Sequence, residues 1–483
     1  MSILAIDAGT TGVTVLVVSE HGEITSRGYS EFEQHFPKPG WVEHNPEQIW
    51  QATLRAAKQA LLTSHNIQAI GITNQRETLV LWDRETLKAP RNAIVWQDRR
   101  TSEIVDELKA LNLESTIREK TGLGLDPYFT STKLVWLQRN EPQVWSEVLS
   151  GKTAIGTVDS YLVARLTGGR KHITDASNAS RTQLCNIESG EWDDELLEIF
   201  DVPKSALPEI VPNYGKLAET DPNSFLGIDA PITGMAGDQQ AALFGQGAFS
   251  EGESKCTYGT GAFLLTNTGT KKVESKNGLL TTIAWKAPTG EITYALEGSV
   301  FVAGSAVQWL RDGLKIIKES KDVESLALQV PDSGGITFVP ALTGLGAPWW
   351  QPEVRGTISG ITRGTTDAHI ARATLEAVAF QVTDLVRAME HDFGSTVKAL
   401  RVDGGMSVNN LLMQIQANSL QIPVERAKHV ETTGLGAAML AGIGIGIFKQ
   451  ADSVAHLENS FRPQAKLEFE NNNWKIALGK LLN

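Results

Sequence analysis

The run DAGTTG (Asp7–Gly12) interrupts two apolar stretches, and its residue types suit one chemistry in particular, the holding of phosphate. Gly9 and Gly12 leave backbone N–H groups unobstructed, Thr10 and Thr11 add hydroxyl donors, and Asp7 supplies a carboxylate that could hold a hydrated Mg²⁺. A polar hairpin turn, with Asp7 closing it as an Asx residue, is the alternative use of the same residues. YGTG (Tyr258–Gly261) repeats the pattern of strand, Gly-Thr turn and strand nearly 250 residues later. A third turn, Asp403-Gly404-Gly405, leads from a strand over Ala399–Val402 into a helix with Ser407 as its expected N-cap. Val408, Leu411, Leu412 and Ile415 form the expected apolar stripe of that helix. Two Gly-Thr hairpins and a glycine-lined helix start together describe a nucleotide site without a Gly-x-x-x-x-Gly-Lys loop.

Phosphoryl transfer also needs a base for the acceptor hydroxyl. In AGDQQAALFG, Asp238 precedes an apolar helical segment and can serve either as that base or as a helix cap. Arg76 and Glu77 follow a buried strand over Ala69–Thr73 as adjacent opposite charges. On a surface they form an ordinary ion pair; in a pocket they offer donors and an acceptor to a polyol. Trp96, Tyr128 and Phe263 could cover the carbons of such a ligand or simply belong to the core.

The elements that must position these residues follow from periodicity. Strands are expected at Ile3–Ile6, Val13–Val18 and Ile24–Tyr29. An amphipathic helix follows in NPEQIWQATLRAAKQALL, and a long helix runs from about Asp367 to His391 and stops at Gly394. At 483 residues the chain exceeds one hydrophobic core, and the clearest boundary is Phe244–Glu253. A net charge of −12 argues against nucleic acid or an anionic membrane surface as partner. The longest apolar run, Gly434–Phe448, is glycine-rich and too short to insert stably in a membrane. Two cysteines, Cys185 and Cys256, and no zinc-type spacing point to a reducing, cytoplasmic setting.

GITNQRET, NAIVWQDRRT, DPYFTSTK, GTVDSYL, TDASNASRT, AGDQQAALFGQ, TYGTGAFLL, YALEGSVFVAGSAVQWLRD, LRVDGG and TTGLGAAMLAG, in this order, resemble the glycerol kinase branch of the FGGY carbohydrate kinases. These belong to the actin/Hsp70/hexokinase ATPase superfamily. The resemblance implies an α/β protein of two ribonuclease H-like (actin-like ATPase) domains, 1–247 and 248–483, with ATP, Mg²⁺ and glycerol in the cleft between them. It implies that Arg76, Glu77, Tyr128, Asp238 and Gln239 meet glycerol hydroxyls, that Trp96 and Phe263 pack on its carbons, and that Asp238 is the base. Thr10, Thr11, Gly12 and Thr260 would meet phosphates, Gly304, Gln308, Gly405 and Asn409 would surround the nucleotide, and Asp7 and Asp238 would hold Mg²⁺. It further implies a homo-oligomer, a dimer or tetramer.

Two departures qualify the resemblance. The family's glycerol kinases continue the first hairpin with an Arg; here Thr14 follows Thr10-Thr11-Gly12-Val13, closer to the xylulose kinase pattern. A kinase for another polyol or a ketose such as xylulose is therefore the second reading, and a non-kinase ATPase switch the third. KLAETDPNSFLGIDAP lacks the family's Gly-rich, Arg-containing loop for fructose 1,6-bisphosphate, and Gly215–Pro231 holds no histidine, so neither family control is expected.

Overall fold

The computed structural model describes residues 1–63, 66–449 and 457–482. Two large sheets organise the chain. The first contains β1 (Ser2–Ala8), β2 (Gly12–Ser19), β3 (Ile24–Glu31), β4 (Ile67–Asn74), β5 (Tyr214–Glu219) and β6 (Pro231–Gly237), in the order β5-β6-β4-β1-β2-β3. Strands β1, β2 and β3 form an antiparallel meander, β4 and β6 add in parallel, and β5 closes the far edge antiparallel.

The second sheet contains β7 (Ser254–Tyr258), β8 (Ala262–Gly269), β9 (Leu280–Lys286), β10 (Ile292–Val300), β11 (Leu400–Asp403), β12 (Val424–Ala427) and β13 (Leu457–Phe461), in the order β9-β10-β8-β7-β11-β12-β13. The first sheet's pattern recurs: β7 and β8 pair antiparallel, β11 and β12 add in parallel, and β13 ends the sheet antiparallel. The Gly-Thr rhyme in the sequence is thus the visible trace of a duplicated sheet topology.

Strand β1 is buried on both faces, and its alternation shows what covers each. Leu4, Ile6 and Ala8 pack with Ile49, Ala52, Ala56 and Ala57 of α1 (Pro46–Ala60). Ile3 and Ala5 pack instead with Leu435, Ala437, Ala438 and Ala441, which come from the far end of the chain. Helix α2 (Asp238–Gly245) follows β6, α3 (Gly304–Asp312) follows β10, and α4 (Asp367–Phe393) ends at Gly394 in the left-handed region. After β11 come α5 (Asn410–Leu420) and α6 (Thr432–Gly444).

Helix α6 lies across the first sheet although β7 to β12 of the second sheet precede it in the chain. Backbone crosses backbone there at glycine: a Cβ on Gly436 would sit 1.8 Å from the Ala241 carbonyl oxygen, and one on Gly71 2.1 Å from that of Ala437. Gly436→Ala must push α2 and α6 apart, and is expected to lower stability by about 3 kcal/mol in chemical denaturation. An unchanged midpoint would show that the two helices separate freely.

The sequence expectation for the helix after Asp403 needs correction. Its N-cap is Asn409, whose side chain accepts from the Leu412 amide at 2.8 Å, and not Ser407. The Ser407 hydroxyl donates to the Gly404 carbonyl at 2.7 Å and so tightens the turn before the helix. Val408 therefore lies outside α5 and is 58% exposed instead of joining the apolar stripe.

Candidate active site

Three adjacent parallel strands of the first sheet end at one edge: Asn74 of β4 lies opposite Ala8 of β1 and Gly237 of β6. That register brings Asp7, the pair Arg76 and Glu77, and Asp238 to the carboxyl ends of neighbouring strands, where open α/β sheets bind ligands. Asp238 is the first residue of α2; Gly237 is the cap, and the Gln239 amide donates to Asp238 Oδ1 at 2.7 Å. A Cβ on Gly237 would lie 2.7 Å from Arg76 Cγ and Cδ, so only glycine lets this guanidinium pass beside the strand end.

The Arg76 guanidinium binds on every side. Nη1 donates to Glu297 Oε2 at 2.6 Å and to Gln240 Oε1 at 3.2 Å. Nη2 donates to Glu297 Oε1 at 2.9 Å and to the Tyr128 hydroxyl at 3.4 Å. Nε lies 3.2 Å from Asp238 Oδ1 and 3.8 Å from Glu77 Oε1. Arg181 completes the cluster, donating through Nε to Glu77 Oε1 at 2.6 Å and through Nη2 to Glu297 Oε1 at 3.1 Å. The side chains of Arg76, Glu77, Arg181 and Glu297 are all buried, whereas that of Asp238 keeps 27% of its surface. Asp238 is thus the member of the group left open to a ligand.

Desolvation raises the Asp238 carboxyl above its ordinary value, and Arg76 and Lys255 pull it back down. Burial alone would raise Glu297 too, but Arg181 and Arg76 outweigh it and hold that carboxyl at about 2. Glu77 is pushed up by burial against the pull of both arginines. Its backbone sits at φ 60°, a left-handed conformation that costs a glutamate about 1–3 kcal/mol. The Thr130 hydroxyl, at 3.1 Å, and the buried ammonium of Lys133, at 3.4 Å, hold the Glu77 carbonyl in that conformation. Lys133 also donates to the Tyr128 carbonyl at 2.6 Å and so ties two of the expected polyol contacts together.

Trp96 stands 5.6 Å from Tyr128 and 6.2 Å from Phe263 by ring centroids, all edge-on, so the three rings form a wall drawn from both halves of the chain. Its indole donates to the Thr10 hydroxyl at 3.0 Å, which connects that wall to the first hairpin. Gln239 is 8% exposed, and its side-chain oxygen accepts from Lys255.

The first hairpin turns its acceptors into the protein. Gln75 takes the Gly9 carbonyl at 3.0 Å, Gln34 takes that of Thr10 at 2.9 Å, and the Phe32 amide takes that of Thr11 at 3.4 Å. Among the described residues the amides of Thr10 and Thr11 make no hydrogen bond, so the turn presents donors outward, as a phosphate cradle requires. Thr14 is 8% exposed and faces Asp7 across the β1–β2 ladder, which puts no cation at that position.

The second hairpin is knitted to the other two expected nucleotide elements. The Thr260 carbonyl accepts from the amides of Ala303 and Ser305, and that of Gly259 from Gly304 at the start of α3. The Tyr258 carbonyl accepts from Met406, next to Gly405, where an added Cβ would meet nothing within 4 Å. Gln308 is exposed one turn along α3 from Gly304, while Asn409 is engaged in capping α5.

The donor set suits a hydrated divalent cation. Burial and the neighbouring carboxylates of Asp238 and Glu431 hold Asp7 well above its usual value, a repulsion that a cation between Asp7 and Asp238 would relieve. Among the described residues no three His, Cys, Asp or Glu side chains gather as a metal cage.

Arg181, Glu297, Gln240, Lys255 and Lys133 join the cluster without a motif of their own in the sequence. A single charge inside the otherwise uncharged, buried β10 run is the signal available for Glu297.

The family model for the N-terminal domain of the FGGY family of carbohydrate kinases matches residues 2–245, and the C-terminal model matches residues 254–445. The chain belongs to the FGGY family of carbohydrate kinases. Among its relatives in that family, the glycerol kinase of Deinococcus radiodurans is 52% identical over 491 residues, covering 99% of this chain and 97% of that one. Glycerol kinase 2 of Thermotoga maritima is 50% identical, covering 99% and 98%. The crystal structure of Plasmodium falciparum glycerol kinase with ADP superposes with a TM-score of 0.92 at 38% identity, covering 100% of this chain and 98% of that one. A ligand-bound xylulose kinase from Lactobacillus acidophilus, at a TM-score of 0.86 and 24% identity, covering 100% and 96%, shares the two-domain FGGY fold.

Proposed function

We propose that this FGGY kinase transfers the terminal phosphoryl group of ATP to glycerol, giving sn-glycerol 3-phosphate. The observation that carries the reading is Asp238: a partly open carboxylate at a helix start, 3.2 Å from Arg76 Nε and beside a wall of three aromatic rings. Asp238 takes the proton of the attacking hydroxyl as the new oxygen–phosphorus bond forms and the bond to the bridging oxygen of ADP breaks. Glu77, Tyr128, Gln239 and the Nε edge of Arg76 orient the hydroxyls, and Trp96 and Phe263 cover the carbons and exclude water that would otherwise accept the phosphoryl group. Thr10, Thr11, Gly12 and Thr260 receive the phosphates, with Gly304, Gln308, Gly405 and Asn409 around the nucleoside. Asp7 and Asp238 would hold Mg²⁺, which when bound would neutralise charge on the phosphates.

No helix among the described residues is long and apolar enough to cross a membrane. A cytoplasmic homo-oligomer with a small-molecule substrate and no nucleic-acid partner fits this reading. The second reading, a ketose or another polyol as acceptor, draws on Thr14 and the absence of an arginine from the first hairpin. The reaction is tested by incubating the purified chain with MgATP and glycerol and resolving the product's stereochemistry. A single enantiomer, sn-glycerol 3-phosphate, is expected; a racemic product would mean that the pocket does not fix the two terminal hydroxyls differently.

A further inference from the structure

Glu297 is fully buried in β10 of the second sheet, yet the three guanidinium hydrogen bonds that its carboxylate accepts all come from the first half of the chain: two from Arg76 and one from Arg181. Its two oxygens span the Nη1 and Nη2 edge of Arg76, a bidentate geometry that fixes the plane of the guanidinium. With that edge taken, Arg76 has Nε left to face Asp238 Oδ1, and Nη2 stays within reach of the Tyr128 hydroxyl. Oε1 also accepts from Arg181, whose Nε holds Glu77 Oε1. One carboxylate from the second half thus sets the orientation of both arginines, and through them of Asp238 and Glu77. In β8, paired with β10, Leu265 lies opposite Glu297 and Phe263 opposite Ser299, so the same two strands deliver the carboxylate and one ring of the aromatic wall.

We infer that Glu297 is a positioning residue for the acceptor site: supplied across the cleft, it aligns Arg76 and Arg181 so that the polyol pocket is complete only when the two halves are together. The inference rests on the proposed reading that this pocket takes glycerol. Among the described residues the hydrogen bonds of the Glu297 carboxylate come from Arg76 and Arg181 and not from Thr10, Thr11, Thr260 or Gly304, so its effect separates acceptor from nucleotide.

The test is steady-state kinetics on the full chain for Glu297→Asp and Glu297→Gln, with KM for glycerol and for ATP measured separately and folding followed by circular dichroism. Aspartate keeps the charge but is one methylene too short to span Arg76 and reach Arg181 together. Because a displacement of this size in a positioning contact is costly, Glu297→Asp is expected to raise the glycerol KM roughly 10-fold, with ATP KM changed less than about 3-fold. Glu297→Gln, which also loses the charge, should exceed Glu297→Asp in the same direction if it folds; the order of effects is then wild type, Asp, Gln. A glycerol KM unchanged in Glu297→Asp, an equal rise in both KM values, or an Asp variant that does not fold would each overturn the positioning role. Wild-type protein inactive toward glycerol would instead refute the functional reading itself, which the wild-type control reports independently.

Discussion

Asp238→Asn is expected to lower kcat with glycerol by at least about 10³-fold, since a carboxamide cannot take the hydroxyl proton and a positioned base contributes about 10²–10⁴-fold. The substitution keeps the side-chain volume and the acceptor for the Gln239 amide, so α2 should start as before. The nucleotide hairpins are held by other contacts, Gln75 and Gln34 on the first and the Ala303–Ser305 amides on the second, so nucleotide should still bind. Calorimetric titration with nucleotide and an ADP-release assay on the same preparation separate the two effects. Substantial remaining turnover would remove Asp238 from the base role.

Arg76→Met should be the most damaging single change to stability. It leaves the buried Glu297 with Arg181 as its remaining guanidinium and strips Glu77 and Asp238 of a nearby cation. Removing one partner of a buried ion pair costs about 3–5 kcal/mol because the other charge stays desolvated. The loss should also depend on pH in a defined sense. With its folded value at about 2, Glu297 contributes stability that is fully present above the ordinary unfolded carboxylate range and is lost as pH falls toward 2. Without Arg76 its folded value rises, so acid unfolding of the variant should begin at higher pH than in the wild type. Denaturant midpoints measured from neutral to acid pH check both parts. A wild-type-like acid limb would show that Arg181 alone suffices to hold Glu297.

What could be read from the sequence was local. The turns at Asp7–Gly12, Tyr258–Gly261 and Asp403–Gly405 announce themselves because glycine, threonine and aspartate have few other reasons to interrupt apolar strands. The start of α5 lies two residues beyond the cap that the sequence suggests, because Ser407 and Asn409 are both good caps and the Ser407 hydroxyl is already bonded to the Gly404 carbonyl. Long-range pairing left less trace. Arg76 meets Glu297 across 221 positions, and nothing near either residue names the other. Helix α6 reads as buried from its apolar small residues, but the surface that buries it, the first sheet and α2, is set by glycines at 71 and 436 that sequence alone leaves unpaired.

The most direct measurement is ADP release by the purified chain with MgATP against glycerol, xylulose, ribulose, erythritol and no acceptor. Selective stimulation by glycerol is expected, and would also show that Thr14 serves at the position where the resemblance implies an arginine. Stimulation by a ketose in preference to glycerol would contradict the glycerol reading, and would mean that the arginine-free hairpin, and not the Arg76–Glu77–Asp238 cluster, is the guide to the acceptor.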